Sequence, residues 1–170
     1  MTKLSVYLAT LLLGTNFSAS TTPRTPPAAV VTVQMSSNET SFVDRVNAER
    51  RARGLGTLSA NPLLVEVARS HSREMWEKGY FDHISPTPDL KTPMSRYLRR
   101  LGGTSAWTYL GENLFYCSIV DADRGHKCFM ESPKHRENIL NDRFREVGVG
   151  EFVSPDGRFW VTELFLAQVD

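Results

Sequence analysis

The chain has 170 residues, 41% of them hydrophobic and 23% charged, with 20 lysines and arginines against 19 acids. That length builds one ordinary globular core rather than two, and a net charge of +1 offers no clustered basic face for a nucleic-acid partner. The one basic cluster, Arg45, Arg50, Arg51 and Arg53, reads as cations gathered at the negative end of a helix.

Residues 1–20 carry Lys3, an apolar run from Val6 to Leu13 and the small residues Ser18, Ala19 and Ser20, which is the layout of a secretory signal peptide. The run is shorter than the ~20 residues of a membrane helix, so the expected product is secreted, extracellular and without a transmembrane span. Residues 21–40 are rich in Thr, Pro and Ser and read as a linker. Within them Asn38-Glu39-Thr40 has the form of a glycosylation sequon. The domain proper is placed at 41–170.

From Ser41 the spacing of Phe42, Val43 and Val46 predicts a helix that Gly54 ends. Asn61 and Pro62 then supply an N-cap and first residue for a second helix, whose stripe Leu64, Val67, Ala68, His71 and Met75 is to be buried. Thr92-Pro93 starts a third, closed by Gly102-Gly103. After it TYLGENLFYC alternates like a strand, a helix is expected over 120–131, and Ser132-Pro133 opens another. EVGVGEFV and RFWVTELFLA flank Ser154-Pro155-Asp156-Gly157, a hairpin turn. Helices precede and strands dominate the end, so the fold class is α+β.

Of the four histidines, His71 falls on the buried stripe and His126, among charged neighbours, reads as exposed. His83 lies in a loop just past the Gly79 helix stop. His135 falls in the first turn of a helix, near unpaired backbone N–H groups that favour a neutral ring. Glu112 stands in YLGENLF, and a carboxylate in a buried strand is costly unless partnered. Two neutral histidines and one carboxylate would satisfy it, and they match the three protein ligands of a zinc site with an open position. No cofactor is required by the sequence; a divalent metal such as zinc is the one these residues would hold. Cys117 and Cys128, in a chain bound for an oxidising compartment, are expected to form a disulfide worth about 3 kcal/mol.

Taken in order, HSREMWEKGYFDHISP, Gly111-Glu112-Asn113, SPKHRENIL, FREVGVG and FWVTELF resemble the CAP superfamily of cysteine-rich secretory, antigen 5 and pathogenesis-related 1 proteins, and within it the short SCP-like branch of bacterial secreted proteins. The similarity runs from Ser41 to Leu166. It implies an α-β-α sandwich with a central antiparallel sheet between helices, and a cleft lined by two histidines and two acids. His83 matches the first histidine, Glu112 the glutamate and His135 the second histidine. In the fourth place Ser132 stands for the acid, and Phe129 for the tryptophan three residues before it, as in the bacterial-type pattern. Glu131, Glu137 and Glu163 are the acids left to compensate. Asn113 and Asn138 fit the same motifs as residues that hydrogen-bond backbone and hold the cleft walls. The cysteines match none of the family's usual bridges, so theirs would be local.

The resemblance implies a secreted binding or signalling and defence module whose partner is a small molecule, lipid, glycan or peptide. The alternatives are a zinc-dependent hydrolase of peptide or cell-wall substrate and a structural envelope or matrix protein. No nucleophile motif such as G-x-S-x-G is present.

Overall fold

Ser36, not Ser41, opens the first helix. In the computed structural model, which describes residues 33–104 and 108–168, α1 spans Ser37–Arg51. The Glu39 N–H donates to Ser36 Oγ while the Ser36 N–H donates to Glu39 Oε2, a capping box that satisfies two orphan donors at once. The helix therefore begins inside the stretch expected to be linker. The leader expected over 1–20 lies outside the described residues.

A two-residue strand, β1 (Ser59–Ala60), leads into α2 (Pro62–Glu77), where Asn61 Oδ1 accepts from the Leu63 and Leu64 N–H groups. One 3-10 turn at Pro88–Leu90 precedes α3 (Pro93–Leu101). The order then runs β2 (Thr108–Cys117), α4 (Ala122–Glu131), α5 (Pro133–Leu140), β3 (Glu146–Val153) and β4 (Phe159–Gln168). The strands lie in the order β1-β3-β4-β2. The sheet is antiparallel except that β1 pairs parallel with β3.

Side-chain alternation sends the two faces of this sheet to two helical layers. On β4, Phe159, Val161 and Phe165 join Phe42, Val46, Phe129 and Ile139 beneath α1, α4 and α5. Leu164 and Leu166 face the other way, against Leu64, Val67 and Ala68 of α2 and Tyr97 of α3. The result is the α+β, helix-sheet-helix architecture. Strand β3 alternates valine with glycine for a reason: Val147 and Val149 fill the first layer, while Gly148 and Gly150 let α2 lie directly on the sheet. A Cβ on Gly150 would stand 2.0 Å from the backbone nitrogen of Arg69, and one on Gly148 would stand 2.3 Å from the Leu64 Cβ.

Two expectations fail on the same helix. Gly125, His126 and Phe129 turn inward on α4, which buries His126 and carries Cys128 to the solvent side. Cys117 points into the core, so both cysteines are free thiols and the expected bridge is not made. Neither ring nitrogen of the buried His126 has a hydrogen-bond partner, and burial lowers its pKa. Its charged surroundings in sequence belong to the exposed side of α4.

Candidate functional site

β2 is one of the two edge strands of the sheet, and the loop after Gly79 packs against it through His83 and Phe81. Glu74, buried near the end of α2, pins that loop: Tyr80 Oη donates to Glu74 Oε2 at 2.8 Å, and the hydroxyls of Ser85 and Thr87 donate to Oε1. Burial pushes the Glu74 carboxyl up, but donation from Thr87, Tyr80, Ser85 and Lys78 outweighs it and holds the pKa at about 2. His71, kept toward neutrality by burial, sits 3.2 Å from the Asp82 carbonyl through Nε2. The loop is thus fixed on both sides of His83.

Glu112 is the centre of the site. Its Oε1 lies 2.8 Å from His83 Nδ1 and its Oε2 accepts from Arg96 Nη2 at 2.6 Å. Arg96 Nη1 donates further to the carbonyls of His83 and Leu90. The Arg96 and Glu112 side chains are 4% and 2% exposed, so this is a buried ion pair. The Glu112 carboxylate raises the pKa of His83, favouring imidazolium. His135, in the first turn of α5, shifts down, first through burial and then through the positive charge of His83. The Phe129 ring meets the His135 ring edge-on at 5.2 Å.

Behind the strand, Asn113 Nδ2 donates to the His135 carbonyl and to Glu163 Oε2, and Asn138 Nδ2 donates to the Glu112 carbonyl and Asn113 Oδ1. These bonds tie α5 to β2 and place His135 opposite His83. Together with Glu112 the two histidines line a cleft of about 370 Å³ whose walls include Tyr109, Lys134 and Asn138. Ser132 is the junction of α4 and α5, and its side chain makes no capping bond. Among the three acids left to fill the fourth place, Glu137 lines the cleft. Glu131 is on the surface, 3.8 Å from Lys127. Glu163 is wholly buried behind Asn113, and burial raises its pKa to about 8.

The residues do not fit the zinc set expected of them. Both Glu112 oxygens are engaged and one partner is a guanidinium, leaving two imidazoles where an open zinc site takes three protein ligands. Among the described residues no group of three or more His, Cys, Asp or Glu side chains converges as a metal cage. What the arrangement offers is hydrogen bonding: the His83 imidazole and the Lys134 ammonium around one small cavity.

Sequence reasoning missed Arg96 and Glu74. Arg96 stands in a helix with three arginines and looks like one more solvated cation; the only signal for it was the unmet demand of Glu112 for a partner. In a proton NMR titration, His83 is expected to titrate above the ordinary histidine value and His135 below it. Glu112→Gln, by removing the carboxylate and leaving Arg96, should bring His83 down to that value or below. Because its folded-state pKa is raised, the stability His83 contributes is full below pH ~6.5 and fades as pH rises through its folded value.

Comparison with known proteins gives the family and the fold. The cysteine-rich secretory protein family, CAP, matches residues 43–165. YkwD of Bacillus subtilis (strain 168) is 36% identical over 134 residues, 79% of this chain and 49% of YkwD. The membrane protein YlbC of the same strain is 32% identical over 113 residues, 66% of this chain and 31% of YlbC. Among solved structures, an extracellular protein containing an SCP domain from Bacillus anthracis str. Ames superposes with a TM-score of 0.63 at 28% identity, over 77% of this chain and 40% of that one. The chain therefore spans less than half the length of each of these relatives. With the family matched across most of its length and its fold shared with the Bacillus anthracis SCP domain, the chain belongs to the cysteine-rich secretory protein (CAP) family.

Proposed function

We propose that this chain is an extracellular ligand-binding module whose cleft takes a small, polar, acceptor-rich group, as a glycan or peptide presents, rather than a metal ion or an acyl chain. One observation carries the reading: the chain Arg96–Glu112–His83, in which each carboxylate oxygen has a partner and the imidazole it orients is left half exposed at the cleft. A histidine so held has its other nitrogen free to hydrogen-bond a ligand. Lys134 adds a donor at the same small cavity, whereas an acyl chain needs an apolar enclosure. A hydrolase in which Glu112 serves as base for zinc-activated water would need that carboxylate free, and Glu112 is already bound on both oxygens. Secretion fits the leader-like sequence at 1–20, and among the described residues no helix is long and apolar enough to cross a membrane.

The test is a histidine-resolved NMR titration with N-acetylmuramic acid, a sugar bearing a carboxylate, against palmitate. The sugar acid is expected to shift the His83 ring resonances saturably, and His83→Ala to abolish binding in calorimetry. Saturable binding of palmitate with no response to the sugar acid would overturn the polar-ligand reading.

A further inference from the structure

Beyond the cleft, β2 continues into a cluster of aromatic rings built on the core residue Trp160, with Phe81 and Tyr116 left partly in water. Glu112, Leu114 and Tyr116 lie on one face of the strand, and Trp160 is the cross-strand partner of Tyr116. The Tyr116 and Trp160 rings are 4.4 Å apart between centroids. Phe81, from the same loop as His83, stands 6.3 Å from Tyr116 and 6.1 Å from Trp160. Trp160 is 6% exposed, but Phe81 is 50% and Tyr116 39% exposed. Phe81 is held in that position: on one side Tyr80 is bonded to Glu74, and on the other the Asp82 carbonyl is bonded to His71 and its carboxylate to the Ile84 N–H. An apolar ring kept half in water by its anchored neighbours marks a contact surface.

The loop and strand run side by side, so His83 meets Glu112 where Phe81 meets Tyr116. Four residues of strand separate the two places, roughly 13 Å at 3.3 Å per residue. At the other end Tyr109, 46% exposed, lines the cleft and stacks on Phe144. Tyr109 belongs to the opposite face of β2, so the shelf that shares a face with Glu112 is the one made by Phe81 and Tyr116.

We propose that cleft and aromatic shelf form one elongated site for an oligosaccharide, the cleft bonding the hydroxyl and amide edge of one sugar while Phe81 and Tyr116 pack against the C–H face of another. This rests on the polar-ligand reading above. A pyranose ring is apolar on its faces and polar around its rim, which is the alternation the surface presents. An extended peptide would need the outer backbone edge of β2, and there the Glu112 carbonyl is already taken by Asn138 while Leu114 and Phe115 are buried. Nothing covalent is involved.

Calorimetry with a β-1,4-linked N-acetylglucosamine tetramer and its monomer tests the assignment. The tetramer should bind at least tenfold more tightly than the monomer. Phe81→Ala and Tyr116→Ala, both at exposed positions that leave the core intact, should each weaken the tetramer about tenfold, the scale of one lost aromatic contact. Neither variant should alter the His83 response to N-acetylmuramic acid. A tetramer that does not bind, binds no better than its monomer, or binds the two variants as well as the native chain overturns the shelf; if N-acetylmuramic acid still shifts His83, the cleft reading stands without it. If that response is also missing, both fail together.

Discussion

Replacing Arg96 with methionine is expected to lower the unfolding free energy by about 3–5 kcal/mol, because the Glu112 carboxylate, with a side chain 2% exposed, would be left buried with only His83 beside it. In a domain of this size that corresponds to a fall of roughly 10 °C or more in Tm. The loss should be far from additive. Putting leucine at 112 in the same chain removes the stranded charge, and the double variant should recover most of the stability, since an apolar pair can replace a buried ion pair at little cost. Urea unfolding of the two single variants and the double variant measures this coupling. Recovery of stability should not restore the site, because His83 would have lost its carboxylate and its carbonyl would have lost the Arg96 donor. An Arg96→Met variant as stable as the native chain would show that Arg96 and Glu112 do not form the pair described.

Gly150→Ala is the second large effect. Its methyl group would sit 2.0 Å from the Arg69 nitrogen and 2.4 Å from the Ala68 carbonyl carbon, both backbone atoms that no side-chain rotation can move aside. Overpacking ordinarily costs about 1–3 kcal/mol, and a clash with helix backbone belongs at or above the top of that range. Relief requires α2 to lift from the sheet. Because α2 carries His71 and Glu74, which hold the loop on either side of His83, the same substitution should loosen the cleft. Thermal unfolding gives the first quantity, and the His83 line width and pKa give the second. Alanine at Gly157, in the hairpin turn, meets nothing within 4 Å and serves as a comparison in which only the backbone at φ +83° is strained.

The sequence made some of this visible. Asn61-Pro62 and the stripe beyond it located α2, and the turn Ser154–Gly157 located the β3–β4 hairpin, because caps and turns are local chemistry. His83, Glu112 and His135 were singled out, and the fold brings them to one cleft. The misses have a common cause. Whether a polar residue is buried depends on partners distant in the chain, so Arg96 resembled its exposed neighbours Arg99 and Arg100, and His126 resembled the charges around it. The Ser36–Glu39 cap was hidden by the Thr- and Pro-rich text before it. Glu163 lies on β4, the strand covered on both faces, where no polar–apolar alternation distinguishes inside from outside.

That last residue has a consequence for how the chain meets its solvent. With its carboxyl holding a proton until about pH 8, against an ordinary glutamate value near ~4.3 in an unfolded chain, each molecule that folds at neutral pH must take up a hydrogen ion at the middle of its sheet. Through that group alone, mildly acidic surroundings favour the folded chain, and the advantage shrinks by about 1.4 kcal/mol for every unit the medium becomes more alkaline across that interval.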